Sequence, residues 1–476
     1  MFKSRPRERE IFFSRKRLRR RRFSFVWAMA SVALLLLVLE LLTRIVVDLS
    51  GKEERFAETK TESDVMKAYR LKFVGRSQKP EPDSTNQNSL TAKANLSFGY
   101  QLVENQNSKY WQINEQGFRD SDPVPLAKPQ GEIRIFLLGG ATAFGYGNSD
   151  NQNTISEHLE KRLQERIQQQ KTSPQLYKSD TDVLSLDEVE KKKYLAKPAK
   201  IKSGNYRVIN AAVPGYASGN ELAQLALQLL NYKPDLVVIL DGYGDLMLPS
   251  NEKAAQIPQL KKYLDNPPTG FKAYLSQVIQ PLETKSYLAQ IVQDRWLNPQ
   301  QTAQKADFIL NEETANLVQH LPQDKAELQK RVDRYIQHQK QILNLGAAGR
   351  IPIVVAIQPE ITGRDPSQLT KTEGAIATQL GRTYIKQAKD SYPQFAAAIE
   401  QLAKTFPYNL KAVDLYNLTE EYPSPSFVDA VHLNETANQK VAEQLYYAIS
   451  AFPKMQIATA KPVQTQPQVK GVIQPR

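Results

Sequence analysis

The chain has 476 residues, 41% of them hydrophobic, which is enough to bury the core of one large domain or two ordinary ones. It has no cysteine, which excludes disulfides, thiolate metal sites and a cysteine nucleophile, and with only His158, His320, His338 and His432 a multi-histidine metal centre is not expected. The net charge of +13 is uneven: residues 1–22 hold 11 Lys and Arg against Glu8 and Glu10, so +9 sits there and +4 is spread over the rest, an ordinary surface that argues against a nucleic-acid partner.

In chain order, residues 1–22 form a basic segment ending in RKRLRRRR, and residues 23–42 read FSFVWAMASVALLLLVLELL. An apolar run of about 20 residues is the length a helix needs to cross a hydrocarbon core. Its single charge, Glu40, lies in the last turn, four residues before Arg44. The positive-inside rule puts the basic segment in the cytoplasm, so the expectation is a single-pass cell-membrane protein whose C-terminal domain is periplasmic or extracellular. A cleaved signal peptide is the rival reading, but residues 43–51 (TRIVVDLSG) offer no small-x-small cleavage site.

Residues 43–95 are polar and aperiodic and read as a stalk. From Phe98 the stretch GYQLVENQNSKYWQINEQGFRD reads as a short hairpin or irregular strand pair. Apolar runs of strand length then alternate with helical spacing: IRIFLLG (133–139), YRVINAAV (206–213), DLVVILDG (235–242) and IPIVVAI (351–357). Strands without polar alternation, separated by helices, predict an α/β three-layer sandwich around a central parallel sheet. This domain is expected over 96–451, with insertions at 171–204 and 246–350 and a disordered Pro/Gln-rich tail at 452–476. Within the second insertion Leu328, Val332, Tyr335 and Ile342 fall on one helical face, and Gly346 reads as the helix stop. His158, His320 and His338 lie in helical patterns, where a surface or packing role is expected.

Binding and catalytic groups in such a sheet belong at the carboxyl ends of its strands. Those ends read GGATAFGYG (139–147), NAAVPGYASGN (210–220), LDGYGDL (240–246) and DAVHLNETANQKVAEQL (429–445). The first is a glycine-rich strand-to-helix turn without the Lys-Ser/Thr of a P-loop or the Rossmann spacing, so no nucleotide, cofactor or metal is expected. In the last, Asp429 precedes His432 by three residues, an arrangement in which a carboxylate can orient an imidazole as a general base.

Together and in this order, the four segments resemble the SGNH/GDSL hydrolase family over roughly residues 110–450, the lead-in NEQGFRD included. The resemblance implies a flavodoxin-like fold and an acyl-ester site. It assigns Gly215 as the oxyanion-hole backbone donor and Asp429 and His432 as the acid-base pair. It also implies two losses, because Ala141 stands at the nucleophile serine position and Gly244 at the oxyanion asparagine position. One missing oxyanion donor costs about 10² to 10³ in rate, and a triad without its nucleophile keeps only about 10³ to 10⁴ over water. Thr142 is the nearest hydroxyl, but its β-branch and its place on the turn disfavour it as a nucleophile.

The expectation is therefore a catalytically degenerate domain that binds or assembles at the cell envelope. Its partners would be the membrane and a cell-envelope glycan or acylated substrate, with protein partners unspecified. The alternative is an active ester hydrolase, a deacetylase or lipid esterase, with an altered nucleophile or with water activated by His432. Ala141→Ser with Gly244→Asn would then rebuild the site.

Overall fold

The computed structural model describes residues 64–74, 89–95, 98–179, 186–252, 317–416 and 425–457. The basic segment, the expected transmembrane helix at 23–42 and most of the tail expected at 452–476 lie outside the described residues. Among those described, no helix is long and apolar enough to cross a membrane.

The stretch expected as a stalk contributes to the folded domain from Asp64 on. Helix α1 (Asp64–Tyr69) leads into β1 (Lys72–Val74), which pairs parallel with β2 (Thr91–Asn95), and β2 pairs antiparallel with β3 (Gly99–Leu102). Tyr69, Leu90 and Ala92 are fully buried there, so these few apolar residues dock an otherwise polar stretch. The expected hairpin exists in reduced form as β4 (Gln106–Asn107) against β5 (Gln112–Ile113).

Five parallel strands form the centre: β6 (Glu132–Gly139), β7 (Asn205–Asn210), β8 (Leu236–Asp241), β9 (Ile353–Ile357) and β10 (Leu410–Asp414), in the order β10-β9-β8-β6-β7. Counted from β6, this is the 2-1-3-4-5 order of flavodoxin-like sheets, whose switch point lies beside the first strand. Leu236, Val237, Val238, Ile239 and Leu240 of β8 are all fully buried, which explains the unbroken apolar run, and each such side chain contributes about 1.5–3 kcal/mol.

Helix α2 (Ala141–Phe144) follows β6, and α3 (Ile155–Thr172) crosses to β7. The insertion expected at 171–204 carries α4 (Glu188–Ala196), none of whose residues is buried. Helix α5 (Ser218–Leu227) crosses to β8, and α6 (Tyr243–Met247) begins the second expected insertion. Its described part adds α7 (Leu317–His320) and α8 (Lys325–Gly349), and α9 (Lys371–Thr405) and α10 (Glu435–Ser450) complete the order. Helices α3 and α10 pack together on one face of the sheet, with α5, α8 and α9 on the other.

Leu328, Val332, Tyr335 and Ile342 are buried as their spacing predicts, so α8 serves as the crossover from β8 to β9. The helix does not stop at Gly346. It runs to Gly349 and is capped by Arg350 in the left-handed region. Gly346 is needed for a different reason: a Cβ there would lie 2.7 Å from the Ile351 carbonyl oxygen where the chain folds back over the helix.

Candidate active site

The four strand-end segments do converge. Strand β6 delivers Gly140 and the short α2, which Gly145 ends in the left-handed conformation (φ 85°). The position of α2 is set by buried side-chain donors. The Arg119 side chain donates to the Phe144 carbonyl at 3.0 Å and the Gly145 carbonyl at 2.7 Å, and Asn210 donates to the Ala143 and Phe144 carbonyls at 3.2 Å each. Arg119 is 2% exposed and also donates to Asn151 Oδ1, the Asp150 and Tyr110 carbonyls and the Tyr69 hydroxyl. Its ring neighbours are Tyr69 and Phe144.

Ala141 presents a methyl group at the turn. Thr142 is buried, and its hydroxyl donates to the Val431 carbonyl at 3.2 Å while accepting from Gln358 Nε2 at 3.0 Å. That hydroxyl is thus a tie between the turn after β6, the end of β9 and the Asp429–His432 loop.

Asp429 and His432 are brought together as their spacing suggests. His432 Nδ1 lies 2.6 Å from Asp429 Oδ2, while Asp429 Oδ1 accepts the backbone N–H groups of Val431 at 3.0 Å and His432 at 2.7 Å. The carboxylate therefore fixes both the imidazole and the backbone carrying it. The Tyr146 ring stacks on the imidazole with centroids 4.5 Å apart and planes at 20°, and Tyr69 of α1 packs on Tyr146 in turn at 5.1 Å. His432 is 1% exposed under this cover.

Gly215 has φ 85°, a conformation that suits glycine, in the buried turn after β7. The turn is held from outside the sheet: Tyr100 donates to the Pro214 carbonyl at 2.7 Å, and the Tyr216 hydroxyl donates to the Tyr100 carbonyl. This fixes the direction of the Tyr216 carbonyl. Its oxygen lies 2.6 Å from where a Cβ on Gly244 would stand and 3.1 Å from the corresponding position on Gly140. A hydrogen-bond acceptor thus occupies the space in which residue 244 would begin to build a donor side chain. A side chain at residue 244, as in the Ala141→Ser with Gly244→Asn change, would need this carbonyl to move.

Spacing did not reveal a second hydroxyl, imidazole and carboxylate cluster beside this turn. Ser218 Oγ donates to Asp245 Oδ1 at 2.6 Å and takes a bond from His338 Nδ1 at 2.8 Å, while the Ser218 N–H donates to Asp245 Oδ2 at 2.8 Å. The hydroxyl proton is committed to the carboxylate, and Ser218 is fully buried, so the cluster is a clasp joining α5, α6 and α8. His338 packs in the role its helical position predicts. At the end of β9, burial pushes the Glu360 carboxyl up to about 7 although Thr362 and Tyr384 donate to it. Among the described residues, no group of three or more His, Asp or Glu side chains is arranged to hold a metal ion.

The five-stranded parallel sheet, with helices on both faces and the Asp429–His432 contact beyond its last strand, is an SGNH-hydrolase-like α/β domain. The family model described as GDSL-like Lipase/Acylhydrolase matches residues 135–445, and the chain belongs to that family. Similar solved structures include an acetyl xylan esterase, 12% identical, covering 67% of this chain and 100% of that one with a TM-score of 0.31. A lipase/acylhydrolase from Enterococcus faecalis is 13% identical over 67% and 95% of the two chains, with a TM-score of 0.31. A GDSL-like lipase from Bacteroides thetaiotaomicron is 13% identical over 66% and 85%, with a TM-score of 0.28. No curated protein matches the chain.

Proposed function

We propose that this GDSL-family domain is catalytically degenerate and acts in binding or assembly at the cell envelope, facing outward from a membrane crossed by the apolar 23–42 segment. The reading rests on the chemistry at the strand ends. Residue 141 offers a methyl group, residue 244 offers no amide, and a carbonyl oxygen fills the space beside it. The observation that carries it is the Thr142 hydroxyl, the nearest substitute nucleophile, which is engaged by Val431 and Gln358. The ligand would be a cell-envelope glycan or an acylated molecule, in keeping with a domain built on an acylhydrolase frame.

The 2.6 Å contact of His432 with Asp429 favours a second reading, in which the imidazole activates water for ester hydrolysis. Hydrolysis of p-nitrophenyl acetate by the full chain and by His432→Ala separates the two. Rates equal to that of buffer in both proteins are expected. Turnover that disappears in His432→Ala would replace the first reading with the second. The orientation is checked separately by a reporter fused to the C-terminus, which is expected to be active only outside the cytoplasm.

A further inference from the structure

Behind the turn that carries the Tyr216 carbonyl lies an acidic cluster without a role in the site. Glu221 in the first turn of α5, Asp241 at the end of β8 and Asp245 in α6 are 0%, 3% and 1% exposed. Asp245 is satisfied by the Ser218 hydroxyl and N–H. Asp241 accepts the Tyr335 hydroxyl at 2.8 Å and Gln339 Nε2 at 2.9 Å, both from α8. Neither oxygen of Glu221 has a hydrogen-bond partner among the described residues, and the carboxyl groups of Asp241 and Asp245 are its charged neighbours.

Among the described residues, no cation neutralises the group. Arg331 on α8 bonds Glu327 and the carbonyls of Leu246 and His320, and Arg334 bonds the carbonyls of Pro249, Glu252, Asp245 and Leu248. The other titratable groups facing the pair are Tyr216 before α5, Tyr335 and His338 on α8, and Tyr392 on α9. Two adjacent carboxylates do not both ionise at neutral pH in such a place, because each pays the loss of hydration and then repels the other.

We propose that Glu221 and Asp241 share a buried proton that latches α5 to β8 and α8, and that losing it at alkaline pH frees the start of α5 and the Gly215–Ser218 turn before it. Burial, then the neighbouring carboxylates, hold the Glu221 carboxyl well above the ordinary carboxylate range, and the same causes raise Asp241 to about 8. The unfolded chain ionises both groups at ordinary carboxylate values. The folded chain therefore holds more protons from there upward, and the latch weakens as pH rises. Once both carry charge, Tyr335 and Gln339 still hold Asp241 to α8, so the repulsion acts on α5 at Glu221, against the Ser218–Asp245 bonds at its first turn.

Hydrogen exchange of the full chain tests this at about pH 6 and about pH 9, after correction for intrinsic exchange. In the wild type, protection over residues 212–224 should fall about tenfold or more at the higher pH. In Glu221→Gln, whose amide donates to Asp241 at either pH, it should persist. Unchanged protection in the wild type, or equal loss in both proteins, overturns the latch. Should Glu221→Gln fail to fold, the wild type alone decides by infrared spectroscopy. A protonated-carboxyl stretch present at neutral pH and lost together with the protection supports the shared proton, and its absence at neutral pH overturns it. A thermal midpoint raised by calcium and lowered by chelator would also overturn it, by showing a bridging cation in the proton's place.

Discussion

Gly244→Ala asks directly whether backbone has closed the space beside Gly244, the oxyanion position of the proposed reading. The new methyl would stand 2.6 Å from the Tyr216 carbonyl oxygen and 3.3 Å from both Cα and Cβ of Ala217. These are backbone or near-backbone atoms, and their turn is pinned by Tyr100, by the Ala217 N–H donating to Asn220 Oδ1 (3.1 Å) and by the Ser218–Asp245 clasp. Overpacking against a fixed wall costs about 1–3 kcal/mol. For a domain of this size that corresponds to a lowering of Tm by about 1–5 °C. Thermal unfolding of the full chain followed by circular dichroism measures it. Gly374→Ala is the control, because nothing lies within 4 Å of its added Cβ in the first turns of α9 and alanine there should stabilise by about 0.5–1 kcal/mol. A Gly244→Ala protein melting at or above the wild type would refute the closure, and would mean that Gly244→Asn can restore a donor without rearranging the turn.

Two further outcomes follow from the buried polar groups. Arg119→Met should cost about 1–3 kcal/mol in urea unfolding, since it strands the Asp150 carbonyl, whereas those of Tyr110, Phe144 and Gly145 keep the Tyr69 hydroxyl, Asn210 and the Asn148 N–H. Glu360 keeps its proton until about 7 in the folded chain and loses it near 4.5 when unfolded, so the folded chain binds more protons between those values and stability declines as pH rises through that window. Relative to Glu360→Gln, the wild type should lose about 3 kcal/mol across it, and parallel pH profiles for the two proteins would contradict the assignment.

The central strands were legible because burial on both faces leaves a mark that needs no context: β6, β8 and β9 are runs of Ile, Leu, Val and Phe. Strand β10 was not, since LKAVD is a short edge strand with a buried first residue, three half-buried ones and an exposed Asp414. Asp429 and His432 could be paired from a spacing of three residues, and the structure brings them together. Arg119 stood in plain view within NEQGFRD, yet its role depends on carbonyls 25 and 26 residues away. The Tyr216 carbonyl leaves no trace in a side-chain pattern, because a backbone atom is aimed by its turn and by Tyr100, 114 residues before its Pro214 partner. Glu221 and Asp241 were likewise hidden, one in a helix and the other at a strand end, joined only by the fold.

The claim that this acylhydrolase frame has lost its nucleophile is tested most directly by incubating the full chain with a fluorophosphonate and reading the intact mass and the peptide map. The account predicts no covalent adduct, while Ala141→Ser, once its hydroxyl can meet His432, gives one at residue 141. A phosphonylated wild-type protein, with the adduct on Thr142 or on any other residue of the 139–147 turn, would contradict it.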